Sequence, residues 1–227
     1  MAKIDLARRA EIGRDRRAKT RAQLIQAARA LYAERAVESV TIDDLVSEAG
    51  VAKGTFYVHF EHLADLQAAV AGDLAQSFDD LLQPLRLGLA DPIERVAAGC
   101  AEFLREALRD PAWGCLVARG AWALPTVASA ARTNLIRDLR QAAVDGRLAI
   151  APDLAFDVVT GIVLQTMRAA GERRLKQSDA PAAVEAVLRA VGVAQDEAHA
   201  IVNRVFSMPT SNAAAPAAAQ RRSHNRR

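Results

Sequence analysis

An eight-residue segment near the N-terminus concentrates side chains that can bind a polyanion. It reads Lys53-Gly54-Thr55-Phe56-Tyr57-Val58-His59-Phe60. Its lysine, threonine, tyrosine and histidine can donate hydrogen bonds to phosphates and base edges, and its glycine has no side chain that would hold the backbone away from a duplex. On a helical wheel Phe56 and Phe60 share one face, which suits packing on neighbouring helices, and the four donors can point away from that face. The pattern is typical of an element that contacts nucleic acid.

Two helical patterns precede this segment and would position it. Helix 1 is predicted at 16–35 from apolar residues at the 3.6-residue period. Thr41 is the predicted N-cap of helix 2, and Gly50 suits the left-handed position just beyond its end. A short third helix is predicted at about 53–60. The order predicts a helix-turn-helix whose third element lies in the major groove of DNA.

At residues 21–66 the sequence resembles the DNA-binding domain of the TetR family of bacterial transcriptional repressors. The matching residues are Arg21, Ile25, Ala27-Ala28, Leu31, Thr41-Ile42, Leu45, Ala49-Gly50-Val51, Gly54-Thr55, Tyr57, His59-Phe60 and Leu66. The resemblance implies a DNA-binding transcriptional regulator, a repressor that binds palindromic operator DNA as a homodimer and is released by a small-molecule ligand. An activator with the same DNA-binding chemistry is not distinguished from it at this stage.

The resemblance also implies which residues contact DNA. Thr41 and Tyr57, with His59, would position phosphates, and Lys53 and Thr55 would contact base edges or the groove. The full set expected to contact DNA is Thr41, Lys53, Gly54, Thr55, Tyr57, His59, Arg16 and Arg17. For Tyr57 and His59 the alternative is an aromatic in a small core, and for the arginines it is a solvated arm.

The sequence departs from the family pattern at four places. Ala36 stands where a helix-ending glycine is usual, and Ala52 stands where Ser or Thr would cap helix 3. His62-Leu63 replaces a small polar residue followed by lysine, which removes one expected phosphate contact. The basic segment Lys3–Lys19 could compensate by reaching along the DNA or into the adjacent minor groove.

The charge distribution agrees with a polyanion at one end of the molecule. The net charge of the 227 residues is +3, yet residues 1–35 hold ten Lys/Arg against four Asp/Glu, and residues 209–227 hold four Arg and no acid. The remaining residues carry a net charge of −7. A neutral-to-acidic body therefore has two basic ends, which either bind a polyanion or only keep the chain in solution.

The rest of the chain predicts an all-α fold, because helical patterns recur and no strand alternation exceeds four residues. These patterns cover 62–83, ending near Pro84, then a helix opened by Asp91-Pro92, then 113–143 with a break at Pro125, 152–175, 181–191 and 195–206. The predicted organisation is a basic N-terminal arm at 1–15, the helix-turn-helix domain at 16–62, a helical effector-binding and dimerisation domain at 63–207, and a disordered basic tail at 208–227.

By the same resemblance, the helical body should hold an effector cavity and a dimer interface. The candidate cavity residues are Cys100, Phe103, Trp113, Arg119, Trp122 and Met167, for each of which ordinary core packing is the alternative. The candidate interface residues are Val158, Gly161, Ile162, Gln165, Ala169 and Val187. A two-fold dimer would place its recognition helices one or more DNA turns apart and so would require a palindromic operator.

Other classes of protein lack support in the sequence. It contains no apolar stretch long enough to span a membrane and no secretory signal, which predicts a cytoplasmic protein. Cys100 and Cys115 are expected to be free thiols. With no phosphate-binding glycine loop, HExxH, G-x-S-x-G or metal-ligand spacing, the sequence predicts no catalytic residue, metal or cofactor. The competing hypothesis is a helical small-molecule-binding protein or enzyme whose N-terminal module is an interaction domain.

Overall fold

A computed structural model describes residues 6–208, and the side chains of residues 6, 7, 10, 86, 122 and 125–131 fall outside that description. The described chain forms ten α-helices and two 3-10 turns, at Val37–Ser39 and Gln177–Asp179, and no β-strand. The helices are α1 Leu6–Glu34, α2 Ile42–Ala49, α3 Lys53–His59, α4 Leu63–Gly88, α5 Pro92–Arg109, α6 Pro111–Ala123, α7 Pro125–Val144, α8 Pro152–Gly171, α9 Ala180–Ala190 and α10 Gln195–Ser207. The all-α prediction is confirmed. The predicted tail lies outside the described residues except for Met208.

Helix α1 is longer than predicted, because from Leu6 onward the expected basic arm continues it. Residues 8, 9 and 11–19 are exposed, so the described side chains of this part of the helix are not buried against the body. The segment is polar on all sides, and apolar periodicity therefore could not detect it. Its Arg, Lys, Glu and Ala residues favour helix, and Gly13 alone costs only about 1 kcal/mol.

Helix α4 passes through Pro84, where the sequence predicted its end. Proline removes one backbone hydrogen bond, but Leu81 and Leu85 on either side pack against the core. Packing of this apolar face stabilises the helix more than the missing bond weakens it.

Aspartate and proline set the starts of the central helices. Asp91 Oδ1 accepts hydrogen bonds from the backbone of Ile93 and Glu94 at 2.7 and 3.0 Å, and Asp110 Oδ1 accepts one from Trp113 at 3.1 Å. Proline is the first residue of α5, α6, α7 and α8, where its missing N–H has no helical partner to lose. The predicted break at Pro125 is confirmed.

Helices α5 and α6 lie at the centre of the body. Helix α6 contacts α1 and the first 3-10 turn on one side and α5, α7 and α8 on the others. A Cβ atom on Gly114 would lie 2.8 Å from the Cβ of Ala107, and one on Gly171 would overlap Cys115. These two glycines therefore let α6 approach α5 and α8 closely inside one protomer.

Candidate nucleic-acid interface and internal cavity

Local features fix both ends of α2, the helix that precedes α3. Thr41 Oγ1 accepts from the backbone N of Asp44 at 3.2 Å, and the Asp44 carboxylate accepts from the backbone N and hydroxyl of Thr41 at 2.9 and 2.6 Å. These Thr41 hydrogen bonds, with a smaller contribution from Arg35, hold the pKa of Asp44 below its usual value. Gly50, at φ 64° and ψ 36°, ends α2 in the left-handed region. The predicted cap and glycine turn are both confirmed.

Helix α3 is held in place by its aromatic residues. Phe56 is completely buried and Phe60 is 3% exposed, with their ring centroids 5.7 Å apart. The guanidinium of Arg21 in α1 lies 5.0 Å from the centroid of Phe60. Ala52 supplies no side-chain cap, as the sequence indicated. Packing on these rings therefore stabilises a seven-residue helix that has little helix propensity of its own.

The outer surface of α3 carries most of the residues expected to contact DNA. Lys53, Gly54 and Tyr57 are exposed, and Thr55 and His59 are half-buried. Val58, to which the sequence pattern gave no role, is 55% exposed. An apolar, β-branched side chain left in solvent was the signal that could have identified it. Thr41, Arg16 and Arg17 are also exposed, on α1 and at the start of α2.

Lys53 already has an acidic partner within the protein. Its Nζ lies 2.8 and 3.0 Å from the two carboxylate oxygens of Asp43 on α2. The hydrogen bond and the charge of Asp43 raise the pKa of Lys53 above its usual value. To bind a phosphate or a base, Lys53 must therefore share or leave this partner.

His59 connects α3 to the basic side of α1. Partial burial and the nearby charges of Arg17 and Arg21 lower the pKa of His59 below its usual 6.5. Arg14 lies three residues before Arg17 and seven before Arg21, so all three share one side of α1. A basic surface therefore runs from His59 along α1 toward its N-terminus. The start of α4 does not extend it, because Leu63 is half-buried and His62 donates its backbone N–H to Asp65.

A separate apolar cavity lies inside the helical body. Its volume is about 170 Å³, and side chains of α4, α5, α6, α7 and α8 line it. Of the predicted residues, Cys100, Phe103 and Met167 line this cavity. Phe78, Val96, Val117, Phe156, Val159 and Val163 contribute further to its apolar wall.

The other predicted cavity residues lie elsewhere. Trp113 stacks on Phe103, with centroids 6.1 Å apart and an interplanar angle of 14°, and so supports the wall from behind. Arg119 does not line the cavity. Val117 and Ala121 face the cavity, and Arg119 lies two residues from each of them, so its side chain points to another side of α6. The side chain of Trp122 lies outside the described residues.

One end of the cavity is polar. Arg95 donates from Nε and Nη2 to Asp138 Oδ1 at 3.0 and 2.9 Å, and from Nη1 to the carbonyl oxygens of Leu89 and Ala90. Arg95 and Asp138 both line the cavity, and Asp138 is 6% exposed. Sequence reasoning missed the pair because the two residues lie 43 positions apart, on α5 and α7. Cys100 adds no reactive group, since burial raises the pKa of its thiol to about 12.

The candidate dimer residues of α8 share the side of the helix opposite the cavity. Gly161 and Gln165 are exposed, Val158, Ile162 and Ala169 are half-buried, and Leu154 on the same side is 53% exposed. Val187 on α9 is 1% exposed and packs in the core of its own protomer. Val187 is therefore removed from the candidate interface.

Two further properties hold for the described part of the chain. None of the described helices is long and apolar enough to cross a membrane. Among residues 6–208, no group of histidine, cysteine and acidic side chains is arranged to hold a metal ion.

The helix-turn-helix, the basic surface beside it and the cavity-containing helical body together define a DNA-binding transcriptional regulator. The sequence model of the tetR family of bacterial regulatory proteins matches residues 24–70, and that of the tetracyclin repressor-like C-terminal domain matches residues 91–204. The chain therefore belongs to the TetR family.

Individual relatives agree with this assignment. The HTH-type transcriptional regulator TtgR of Pseudomonas putida is 39% identical over 62 residues, a match that spans 27% of this chain and 30% of TtgR. The crystal structure of RolR with the ligand resorcinol is 33% identical, with a TM-score of 0.59 over 84% of this chain and 96% of RolR. A gamma-butyrolactone receptor, 23% identical with a TM-score of 0.61 over 84% of this chain and 97% of that chain, shares the fold.

Proposed function

We propose that this regulator is a repressor that binds a palindromic operator as a homodimer and leaves it when a small molecule fills the cavity. The observation that carries the proposal is the outer face of α3, which presents Lys53, Gly54 and Tyr57 beside a basic side of α1. A short second helix of a helix-turn-helix with such a face is suited to the major groove.

The contacts divide by role. Thr41, Tyr57 and His59 position phosphates, and Arg17, on the side of α1 that adjoins His59, extends this contact along the backbone. Arg16 lies about 100° away from Arg17 around α1 and would need a second phosphate on its own side. Lys53 and Thr55 reach base edges, and Gly54 permits close approach. Because phosphate contacts release counterions, operator affinity should fall steeply with salt.

The outer side of α8 supports the dimer. Leu154, Val158 and Ile162 form an apolar row there, and Gly161 and Ala169 allow a partner helix to come close. Exposed alanines on α9, such as Ala182 and Ala186, extend this small-residue surface. Two copies packed through these helices give a two-fold dimer, whose recognition helices match a palindrome.

The cavity supports a compact, mostly apolar ligand with a hydroxyl group. Its volume of about 170 Å³ is close to that of an engineered apolar cavity of about 150 Å³ that binds benzene. The second carboxylate oxygen of Asp138 receives no hydrogen bond from the described residues and is available to a ligand hydroxyl. The likeness to RolR, solved with the aromatic diol resorcinol, favours the same chemistry.

Helix α6 provides the connection between the two sites. It lines the cavity through Val117 and Ala121 and contacts α1 and the 3-10 turn next to the DNA-binding helices. A ligand that favours a shifted α6 therefore also favours a shifted α1 and α3 in each half of the dimer.

Selection of random DNA duplexes by the purified chain tests this function. We expect an enriched palindrome, and a population without any shared sequence would contradict the proposal. Resorcinol, phenol and toluene are then titrated into the operator complex. The hydroxylated rings should release DNA at lower concentration than toluene, and a reporter gene behind the operator should be silenced by the chain.

A further inference from the structure

The side of α3 that points directly away from the core carries no hydrogen-bonding group. Val58 follows the fully buried Phe56 by two residues, which places it about 200° around the helix. Gly54 lies four residues before Val58, on the same side. Lys53 and Tyr57 lie to one flank of this side, and the half-buried Thr55 and His59 lie to the other.

Gly54 is not required by the packing of the protein. A Cβ atom built on it would meet nothing within 4 Å, and its φ does not lie in the left-handed region. What the glycine does provide is an empty surface beside Val58. When the outer side of α3 enters the groove, the apolar side chain of Val58 therefore faces the groove floor.

The floor of the major groove offers few partners for an isopropyl group. Adenine, guanine and cytosine present hydrogen-bond donors and acceptors there, whereas thymine also presents its C5 methyl group. Packing valine against a polar edge would leave that edge without a hydrogen bond, which is costly. We therefore propose that Val58 packs on the C5 methyl group of a pyrimidine, thymine in ordinary DNA, and determines specificity at that position. This inference rests on the proposed DNA-binding function.

Methyl-group substitution in the DNA tests the contact. The selected operator is made with deoxyuridine in place of each thymine in turn, which removes only the methyl group. At one thymine of each half-site, this replacement should lower the affinity of the wild-type chain about fourfold, which is the effect of leaving one methyl group unburied. Operators with cytosine or 5-methylcytosine at that position differ only in the methyl group. The chain should bind the 5-methylcytosine operator more tightly than the cytosine operator by a similar factor.

Variants of the protein complete the cycle. Val58→Ala should bind the thymine and uracil operators equally at that position, and Val144→Ala, which shortens another valine that is 82% exposed, should discriminate like wild type. Equal binding of all uracil operators by the wild type, or full discrimination by Val58→Ala, would overturn this inference alone. A wild-type selection without a shared sequence would instead overturn the proposed function, and this inference with it.

Discussion

The α3 surface and the internal cavity are built in opposite ways. The α3 surface comes mostly from one continuous segment and is exposed, and its Lys53 pairs with Asp43 of the preceding helix. The cavity draws its lining from five helices, is largely apolar, and has at one end an ion pair between the partly buried Arg95 and the buried Asp138. The α3 surface can contact a large charged partner of fixed shape, and the cavity can enclose a small molecule. The surface suited to DNA therefore depends on local sequence, whereas the cavity suited to a ligand depends on tertiary assembly.

The largest expected effect comes from removing the ring that anchors α3. Phe56→Ala leaves a cavity under α3 and should cost about 3–5 kcal/mol of unfolding free energy. Operator binding, measured by fluorescence anisotropy, should fall at least 100-fold, because α3 is no longer held against α1 and α2. Binding of an aromatic probe in the cavity should persist, since no residue of α3 lines it. Loss of both DNA binding and probe binding in Phe56→Ala would show that the two regions are not separable. The control is Tyr57→Ala, which removes an exposed ring and should weaken DNA binding without loss of stability.

The second test is directed at the cavity. Asp138→Asn removes the buried charge that pairs with the partly buried Arg95 and should cost about 2–4 kcal/mol of unfolding free energy, measured by urea denaturation. The matched control is Asp153→Asn, because Asp153 pairs with Arg132 where both side chains are about half exposed or more, at 65% and 49%. That exposed pair should contribute at most about 1 kcal/mol. Equal losses in the two variants would mean that Asp138 is not an internal partner of Arg95.

The third test asks whether the DNA-binding region extends along α1. Arg14→Gln with Arg17→Gln removes two charges from the side that adjoins His59. If both arginines contact phosphates in each protomer of the dimer, four contacts are lost, so the slope of log affinity against log salt should fall by about 4 and affinity at physiological salt on the order of 100-fold. Arg8→Gln with Lys19→Gln removes the same charge from the opposite side and should change little. The same loss in both double variants would indicate general attraction rather than a contact surface.

Several of these features were accessible from the sequence because they are local. The Thr41 cap, the Gly50 turn and the buried Phe56 each depend on residues a few positions apart. The extension of α1 could not be predicted because it has no apolar stripe, and Val58 could not because it carries no hydrogen-bond donor or acceptor in its side chain. Arg95 and Asp138 are 43 residues apart and meet only because α5 and α7 pack together, so no local sequence pattern predicts the pair.

The fourth test concerns the acidic residue within the DNA-binding surface. Asp43→Asn frees Lys53 and removes a negative charge that would repel phosphates. Affinity for DNA should rise, by a few-fold, for operator and random duplexes alike, because the change is electrostatic. Asp145→Asn, which changes an exposed aspartate at the end of α7, should leave affinity unchanged. Weaker operator binding by Asp43→Asn would mean that Asp43 instead holds Lys53 in its binding position.

The smallest expected effect is a pH dependence at His59. Burial, Arg17 and Arg21 lower the pKa of His59 below 6.5, so in the free protein the ring is neutral at pH 7. A phosphate next to the ring favours its protonated form, so binding takes up a proton and operator affinity should rise as the pH falls from 7 toward 5.5, about twofold. Stability of the free protein should change in the opposite sense: the unfolded chain binds the proton near pH 6.5 and the folded chain only below it, so the free energy of unfolding falls over this interval. In His59→Gln, anisotropy titrations should show no pH dependence of operator affinity, and urea denaturation should show no pH dependence of stability from this residue. If the variant loses only the pH dependence of stability, His59 packs beside the arginines without contacting DNA.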